Sequence, residues 1–178
     1  LILAFIIIGY VYWTKLSLMN FKNSVVKDFK YFNRFLNFIL IFFFMQVMYG
    51  AFTAGVSKEN LWNTFPLISG SFIPKNIFSM SPFFINIFEN NRTILFLHPY
   101  LGLILMVLIF IFCYQIQIKR SGVSYQYLVL IVFVQIILGI LTLISQFSLI
   151  IALFHQITAV LLLIFLVKTK HSLKYSHN

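Results

Sequence analysis

Long apolar runs without a charged side chain dominate the sequence. Three of them contain no Asp, Glu, Lys or Arg: 35–57, 93–118 and 121–167. A helix needs about 20 apolar residues to cross a bilayer, so the first two runs each predict one spanning helix. The third is long enough for two, with a turn at Ser145, Gln146 and Ser148, whose side chains can bond the turn's backbone groups. The pattern predicts four spanning helices, at about 35–57, 93–118, 122–145 and 149–168.

A shorter apolar run opens the sequence. Residues 1–14 are too few to span a bilayer, and Lys15 follows the run, whereas a signal peptide carries its basic residues in front. We therefore expect 1–14 to be the end of a truncated spanning helix, with the protein's N-terminal portion lying outside this sequence. Residues 15–34 then form a basic linker to the four-helix bundle at 35–168.

Composition agrees with a membrane protein. Of the 178 residues, 61% are hydrophobic and 9% are charged. Soluble domains are about 45–50% apolar and about 25% charged. We therefore expect an all-α integral membrane protein in which the lipid bilayer takes the place of solvent.

Positive charges predict the orientation. Ten basic residues lie in three segments that we expect on one side of the membrane. They are Lys15, Lys22, Lys27, Lys30 and Arg34 in the linker, Lys119 and Arg120 in the predicted turn, and Lys168, Lys170 and Lys174 at the C-terminal end, in or just before the tail 169–178. The loop 58–92 has only Lys58, Lys75 and Arg92. The positive-inside rule places this loop outside the bacterial cytoplasmic membrane or the mitochondrial inner membrane. The net charge of +10 is then explained by the orientation in the membrane and by attraction to anionic lipids. It does not predict a nucleic-acid partner.

Two hairpins share a repeated pattern. "QVMYGAFTAG" (46–55) and "QIILGILTLI" (135–144) both read Q-x-x-x-G-x-x-T, and each precedes a helix with one histidine. This predicts a duplicated helical hairpin related by a pseudo-twofold axis along the membrane normal. Equivalent residues of the two copies would then face one central site.

The two histidines, His98 and His155, are the candidate metal ligands. They lie six residues after Arg92 and seven after Ser148, so at 1.5 Å per residue both are about 9–10 Å inside the outer edge. Paired imidazoles at one depth suit the two axial positions of a haem iron between bundle helices. A hydrogen bond between helices or a proton path is the alternative for each histidine.

Other polar residues receive simpler interpretations. Gly50 and Gly139 would give a ring or a neighbouring backbone room to approach, or simply pack helices together. Gln46, Gln135, Thr53 and Thr142 are expected to form hydrogen bonds between helices. His171 and His177 lie in the basic tail and are expected to be solvated.

The outer loop 58–92 is too long to be a plain connection. Trp62 and Phe65 suit the membrane interface, and "IFSMSPFFINIF" (77–88) could lie flat on the bilayer. The loop is therefore either an interfacial anchor or a lid over the outer end of the bundle, above the histidines.

An ordered series of short motifs resembles the second half of haem A synthases of the alphaproteobacterial and mitochondrial type. The series is "GAFTAG", "WNTFP", "IP", "SP", N-x-F-E-N, "FLH", Q-x-x-L-G-I-x-T-L and "HQ". It extends from about Gln46 to Leu163, and "LILAFIIIGYVYWTKL" resembles the end of that family's fourth helix. Each motif is weak alone, but their order and spacing are specific.

The resemblance implies an eight-helix enzyme of two similar bundles that oxidises the C8 methyl of haem O to the formyl of haem A, with water as the oxygen source, for cytochrome c oxidase. His98 and His155 match the ligands of a haem b in the C-terminal bundle, whereas haem O is handled mainly by the N-terminal one. The implied partners are the lipid bilayer, haem O synthase, cytochrome c oxidase assembly factors and a second copy of the chain.

One residue departs from the family pattern. The family has arginine directly after the first histidine of this half, and Pro99 stands here instead. The departure affects an expected contact to a haem propionate, and Pro99 is expected to kink its helix. Two other functions stay open: a b-type electron-transfer cytochrome or quinone-linked membrane anchor, and a haem-free transporter or assembly factor.

Overall fold

The computed structural model describes residues 1–19, 29–56, 65–67, 71–118 and 125–175. This part of the chain is helical and contains no strand. Five long helices and one short helix follow one another, with a 3₁₀ turn at Phe83–Ile85 before the short one: α1 (Ile2–Leu18), α2 (Phe29–Gly55), α3 (Asn86–Glu89), α4 (Asn91–Ile118), α5 (Tyr125–Ile144) and α6 (Leu149–Tyr175).

Four of these helices are long and apolar enough to cross a membrane. The spans are Lys30–Gly55, Asn91–Gln117, Tyr125–Ile144 and Leu149–Lys174. Helix α1 is also apolar but is shorter. The prediction of an all-α integral membrane protein with four spanning helices and a shorter preceding helix is confirmed.

The four spanning helices form a closed ring. Helix α2 packs against α4 and α6, and α5 packs against the same two helices, so α4 and α6 lie diagonally opposite each other. Helix α1 lies outside the ring against α6 and, less extensively, against α2. A residue on the inner face of α4 can therefore meet one on the inner face of α6 across the centre of the bundle.

The tightest packing occupies the half of the bundle nearer the basic residues. Phe32 and Leu36 of α2 meet Ile109 and Phe112 of α4 there, and all four side chains are buried. The Phe32 and Phe112 rings pack edge to face, with centroids 6.0 Å apart, a geometry that aromatic rings prefer. This solid core leaves the other half of the ring free to hold a cavity.

Helices α5 and α6 meet at a tight turn of residues 145–148. Gln146 and Phe147 have φ angles of 54° and 62°, a left-handed conformation that single turn residues can adopt. The Phe147 backbone N–H donates to the Thr142 carbonyl (2.8 Å), and the Ser148 N–H donates to Ser145 Oγ (3.3 Å). The turn thus satisfies backbone groups at the helix ends.

The inner ends of the helices differ from the expected linker and tail. Helix α2 starts at Phe29, inside the predicted linker, and α6 continues to Tyr175, through the predicted tail. The expectation that His171 is solvated is wrong. Its side chain is 5% exposed because α1 packs along this end of α6, with Trp13 edge-on to the imidazole ring and Ser17 Oγ 3.3 Å from Nε2.

Some predictions fall on residues outside the described ranges. They concern five basic residues used to predict the orientation, one interfacial tryptophan and one tail histidine: Lys22, Lys27, Lys58, Lys119, Arg120, Trp62 and His177.

Candidate functional site

The two candidate ligands converge in the centre of the ring. His98 projects from α4, seven residues after the first residue of this helix, Asn91. His155 projects from α6, six residues after its first residue, Leu149. Their ring centroids are 6.5 Å apart and the ring planes are inclined at 85°. The diagonal placement of α4 and α6 thus brings together two side chains that are 57 positions apart in the sequence.

A glycine lies beside each imidazole. A Cβ atom built on Gly50 would lie 3.2 Å from His98 Cε1, and one built on Gly139 would lie 3.0 Å from His155 Cε1. Either contact would force the neighbouring ring to move. The two glycines therefore give the two imidazole rings room, and the equivalent positions of the repeat have equivalent contacts.

A glutamine side chain contacts His98. Gln46 Nε2 donates to the His98 carbonyl (3.0 Å) and lies 3.1 Å from His98 Nδ1. Gln46 Oε1 is buried and has no hydrogen-bond partner. The predicted hydrogen bond between helices is confirmed for this residue, with one polar atom left over.

The equivalent glutamine has its full set of partners around His155. The His155 Nδ1–H donates to the backbone carbonyl of Gln135 (3.1 Å), and Gln135 Nε2 lies 3.3 Å from His155 Nε2. Gln135 Oε1 accepts a hydrogen bond from the Thr158 hydroxyl. The two copies therefore share their residues but differ in how the imidazole is held.

The repeated threonines behave differently from the prediction. The Thr53 hydroxyl donates to the Gly50 carbonyl (2.8 Å) and the Thr142 hydroxyl to the Leu138 carbonyl (2.7 Å), both within their own helices. The prediction of hydrogen bonds between helices is wrong for this pair. The carbonyl one turn earlier in the same helix is within easier reach of each hydroxyl than a group of the next helix.

Two contributing residues were not predicted. Gly102 leaves space for Gln46, since a Cβ there would lie 3.1 Å from Gln46 Nε2, and Thr158 binds Gln135 as described above. Both lie one turn after a histidine, on the same helix face. The spacing His-x-x-x-small, present as 98–102 and again as 155–159 with alanine, was the available signal for Gly102, whereas nothing in the repeat pointed to Thr158, because Leu101 is its counterpart.

A cavity surrounds the histidines. Its volume is about 160 Å³, below the roughly 300–1,000 Å³ typical of cofactor sites, so a macrocycle would fit here only with the lining side chains moved apart. The walls are mainly apolar, with Val132 and Ile140 of α5 among them, and the glutamines supply polar groups. Pro99 also lines the cavity, and α4 continues through it without a break.

The described residues fit one kind of metal group. No cluster of three or more His, Cys, Asp or Glu that could hold a metal ion occurs among them. Two imidazoles that bind one metal from opposite sides, at about 2.0–2.1 Å each, have ring centres roughly 6 Å apart. The observed 6.5 Å between the ring centroids is close to that spacing.

The described part of the outer segment reaches the cavity at Phe65. Phe65 lines the cavity, and the Tyr100 hydroxyl of α4 donates to the Phe72 carbonyl (3.0 Å). Farther along, seven large apolar side chains are exposed: Phe72, Ile73, Phe78, Met80, Phe83, Phe84 and Phe88. The segment thus combines a contact at the cavity mouth with an apolar surface.

Asn86 organises this outer segment. The side chain is fully buried and bonds the Met80 N–H (2.9 Å), the Met80 carbonyl (2.8 Å) and the Phe83 carbonyl (2.9 Å). Asn90 Nδ2 also donates to Asn86 Oδ1 (2.9 Å). Because Asn86 serves four groups at once, it fixes the path of the segment.

Asn86→Ala is expected to loosen the segment between residues 77 and 90. Each buried group left without a partner costs about 1–3 kcal/mol, so cleavage by chymotrypsin at the exposed phenylalanines should become at least tenfold faster. Ser81→Ala, at an exposed position of the same segment, is the control. Equal cleavage rates in the two variants would show that Asn86 does not hold the segment.

Comparison with known proteins identifies relatives. Residues 1–167 match the family described as cytochrome oxidase assembly protein, COX15-CtaA. A protein named "Heme A synthase" from Wolbachia sp. subsp. Brugia malayi (strain TRS) is 37% identical over 72% of this chain and 37% of its own length. One with the same name from Nitrosospira multiformis is 33% identical over 97% of this chain and 50% of its own length.

The chain spans only part of these relatives. Another "Heme A synthase", from Brucella suis, is 29% identical, and the match covers 92% of this chain and 46% of the relative. The chain therefore spans about 37–50% of the length of the three relatives named here. No solved structure matches the chain significantly.

Proposed function

The chain belongs to the cytochrome oxidase assembly family that contains the haem A synthases, and from this premise we propose that its four-helix bundle binds one haem b between His98 and His155. The observation that carries the proposal is the convergence of the two imidazoles from diagonally opposite helices, with ring centroids 6.5 Å apart, in an apolar cavity. Each histidine would supply one ligand to the haem iron.

The duplicated surroundings support this assignment. Each imidazole lies against a glycine that a larger residue would displace, and each contacts a glutamine from the preceding helix. A histidine that only joined two helices would need one partner and no matching residue across the bundle. The shared arrangement is better suited to a ligand that both copies hold together.

The residues present favour electron transfer at this haem. A haem supplies one-electron oxidation and reduction when bound. Because His98 and His155 would take both axial positions, the chain itself leaves none for oxygen or a substrate. The apolar walls keep water from the ring, which lowers the local dielectric and helps set the reduction potential.

For the whole protein we propose the haem A synthase reaction, in which the C8 methyl of haem O is oxidised to the formyl of haem A for cytochrome c oxidase. The family membership supports this reaction. Haem O is the substrate, handled outside this four-helix bundle, and water is the oxygen source. Haem O synthase, cytochrome c oxidase assembly factors and a second copy of the chain are the candidate partners.

The proposed setting is the bacterial cytoplasmic membrane or the mitochondrial inner membrane, with the loop 58–92 on the outer side. The charge distribution supports this orientation. The exposed phenylalanines of the outer segment are suited to the lipid interface, and Phe65 is suited to covering the cavity mouth. We infer that the part of the loop around Phe65 acts as the lid and that the part with the exposed phenylalanines acts as the anchor.

A haem spectrum of the purified full-length protein tests the proposal. A low-spin b-type reduced-minus-oxidised spectrum is expected, and the pyridine haemochrome should identify haem b in addition to any haem O or haem A. A colourless protein would instead favour the haem-free transporter or assembly factor. A b-type spectrum without conversion of added haem O would favour an electron-transfer cytochrome.

A further inference from the structure

The two imidazoles are held by different kinds of groups. His155 Nδ1–H donates to a backbone carbonyl, that of Gln135, which no side-chain substitution removes. His98 Nδ1 instead faces a side-chain amide, Gln46 Nε2, at 3.1 Å. The partner of His98 is therefore a group that can rotate, whereas the partner of His155 is fixed by the helix.

Metal binding places a requirement on each ring. A neutral imidazole that binds a metal through Nε2 carries its proton on Nδ1, and Nδ1–H then needs an acceptor. His155 already has this arrangement. At His98 the nearest polar atom is an amide nitrogen, which is also a donor, so two donors would face each other.

The unpaired oxygen of the same amide resolves this conflict. Gln46 Oε1 is buried without a partner, a state that costs about 1–3 kcal/mol for a buried acceptor. A half-turn of the amide about its last torsion exchanges oxygen and nitrogen and presents Oε1 to His98 Nδ1. The His98 carbonyl then loses the Gln46 donor and faces Oε1, but it keeps its backbone donor within helix α4. Gln46 Nε2 takes the buried position without a partner, so the gain lies in the bond to His98 Nδ1–H alone.

We propose that Gln46 is the positioning residue of His98, with Oε1 as the acceptor for His98 Nδ1–H when His98 binds the haem iron. It acts on the ring orientation and tautomer of His98, while the backbone carbonyl of Gln135 acts on His155. The inference rests on the proposed haem ligation and adds that the two axial ligands have unequal support.

Differences between the two copies leave the Gln46 amide free to turn. Three residues after His155, the Thr158 hydroxyl is a donor that Gln135 Oε1 shares with the carbonyls of Phe154 and His155. Three residues after His98 stands Leu101, which has no hydroxyl to offer Gln46 Oε1. Gly102 provides the space beside the amide nitrogen, where a Cβ would approach to 3.1 Å. One copy is therefore locked and the other is adjustable.

The test compares Gln46→Leu with Gln135→Leu in the full-length protein, using the rate at which haem transfers to added apomyoglobin. Loss of an outer hydrogen bond to a metal-binding histidine typically weakens binding 10- to 100-fold, so Gln46→Leu should accelerate transfer by about that factor. Gln135→Leu keeps the carbonyl bond to His155 and should change the rate much less. Gln115→Leu, which makes the same change elsewhere on α4, is the control.

Two further variants separate an acceptor role from simple packing. Gln46→Glu retains an acceptor oxygen and should restore slow transfer together with the electron paramagnetic resonance g values of the unsubstituted protein. Leu101→Thr offers Gln46 the hydroxyl that Thr158 offers Gln135 and should accelerate transfer by holding the amide in place. Fast transfer in Gln46→Glu would overturn the acceptor role, as would equal rates in Gln46→Leu and Gln135→Leu.

The proposed function and this inference fail in different ways. If His98→Ala leaves the low-spin signal unchanged, the ligation itself is wrong. If His98→Ala removes the signal while Gln46→Leu behaves like Gln115→Leu, His98 is a ligand and Gln46 does not position it.

Discussion

Replacement of either His98 or His155 by alanine is expected to remove the low-spin haem signal of this bundle. The two rings are the candidate axial ligands and face each other across the cavity. Loss of one leaves a single imidazole, and haem iron with one strong axial ligand is typically high-spin. The two single variants and the double variant should each lose one low-spin haem per protein, measured from the reduced-minus-oxidised spectrum and by electron paramagnetic resonance.

His171→Ala is the matched control for the histidine variants. It removes an imidazole from the same helix as His155, but at the inner end, where Trp13 and Ser17 surround it. Its haem spectrum should equal that of the unsubstituted protein. An undiminished low-spin signal in both His98→Ala and His155→Ala would refute the ligand assignment, whatever the control shows.

The spans and the histidine pair could be predicted because their signals are local. A run without charges shows a spanning helix directly, and the repeat of Gln46 and Gly50 as Gln135 and Gly139 shows that two hairpins are equivalent. Equivalence then places both histidines on one axis without any knowledge of side-chain contacts. The structure adds the ring of helices that makes α4 and α6 diagonal neighbours.

The failures have a common cause, which is contact with another helix. The burial of His171 depends on α1 lying beside α6, and the sequence of α6 alone shows only a basic, polar end. Thr53 and Thr142 could reach a neighbouring helix or their own, and only the structure shows which carbonyl is nearer. Hydropathy describes one chain segment at a time, and a repeat relates two segments without showing what their side chains contact. Neither signal therefore decides these choices.

Pro99 lies directly after His98, one of the two candidate ligands. Proline removes one backbone N–H from the helix and lacks the charge that the resembling family has at this position. Helix α4 nonetheless continues through it, and the proline ring forms part of the apolar wall. A haem propionate contact at residue 99 therefore has no basis in this chain, whereas the direction of His98 is maintained by the helix and by Gly50.

Gly139→Leu is expected to abolish low-spin haem binding by displacing His155. A Cβ at position 139 already lies 3.0 Å from His155 Cε1, closer than side-chain carbons normally approach, and leucine adds three further carbons in the cavity wall. Overpacking of this kind typically costs about 1–3 kcal/mol. The ring is the group that can yield, because Gly139 is held in the continuous helix α5.

Alanine substitutions should give a graded series that follows the spacing around each glycine. Gly139→Ala should weaken the low-spin signal more than Gly50→Ala, because the corresponding distance at Gly50 is longer, 3.2 Å. Gly55→Ala should leave the signal intact, because a Cβ at this position has nothing within 4 Å. Haem content per protein and the low-spin fraction measure the effect. A full low-spin signal in Gly139→Leu would contradict this prediction. It would mean that His155 binds the iron from a position other than the one found here, and that the close contact between Gly139 and the imidazole ring has no part in haem binding.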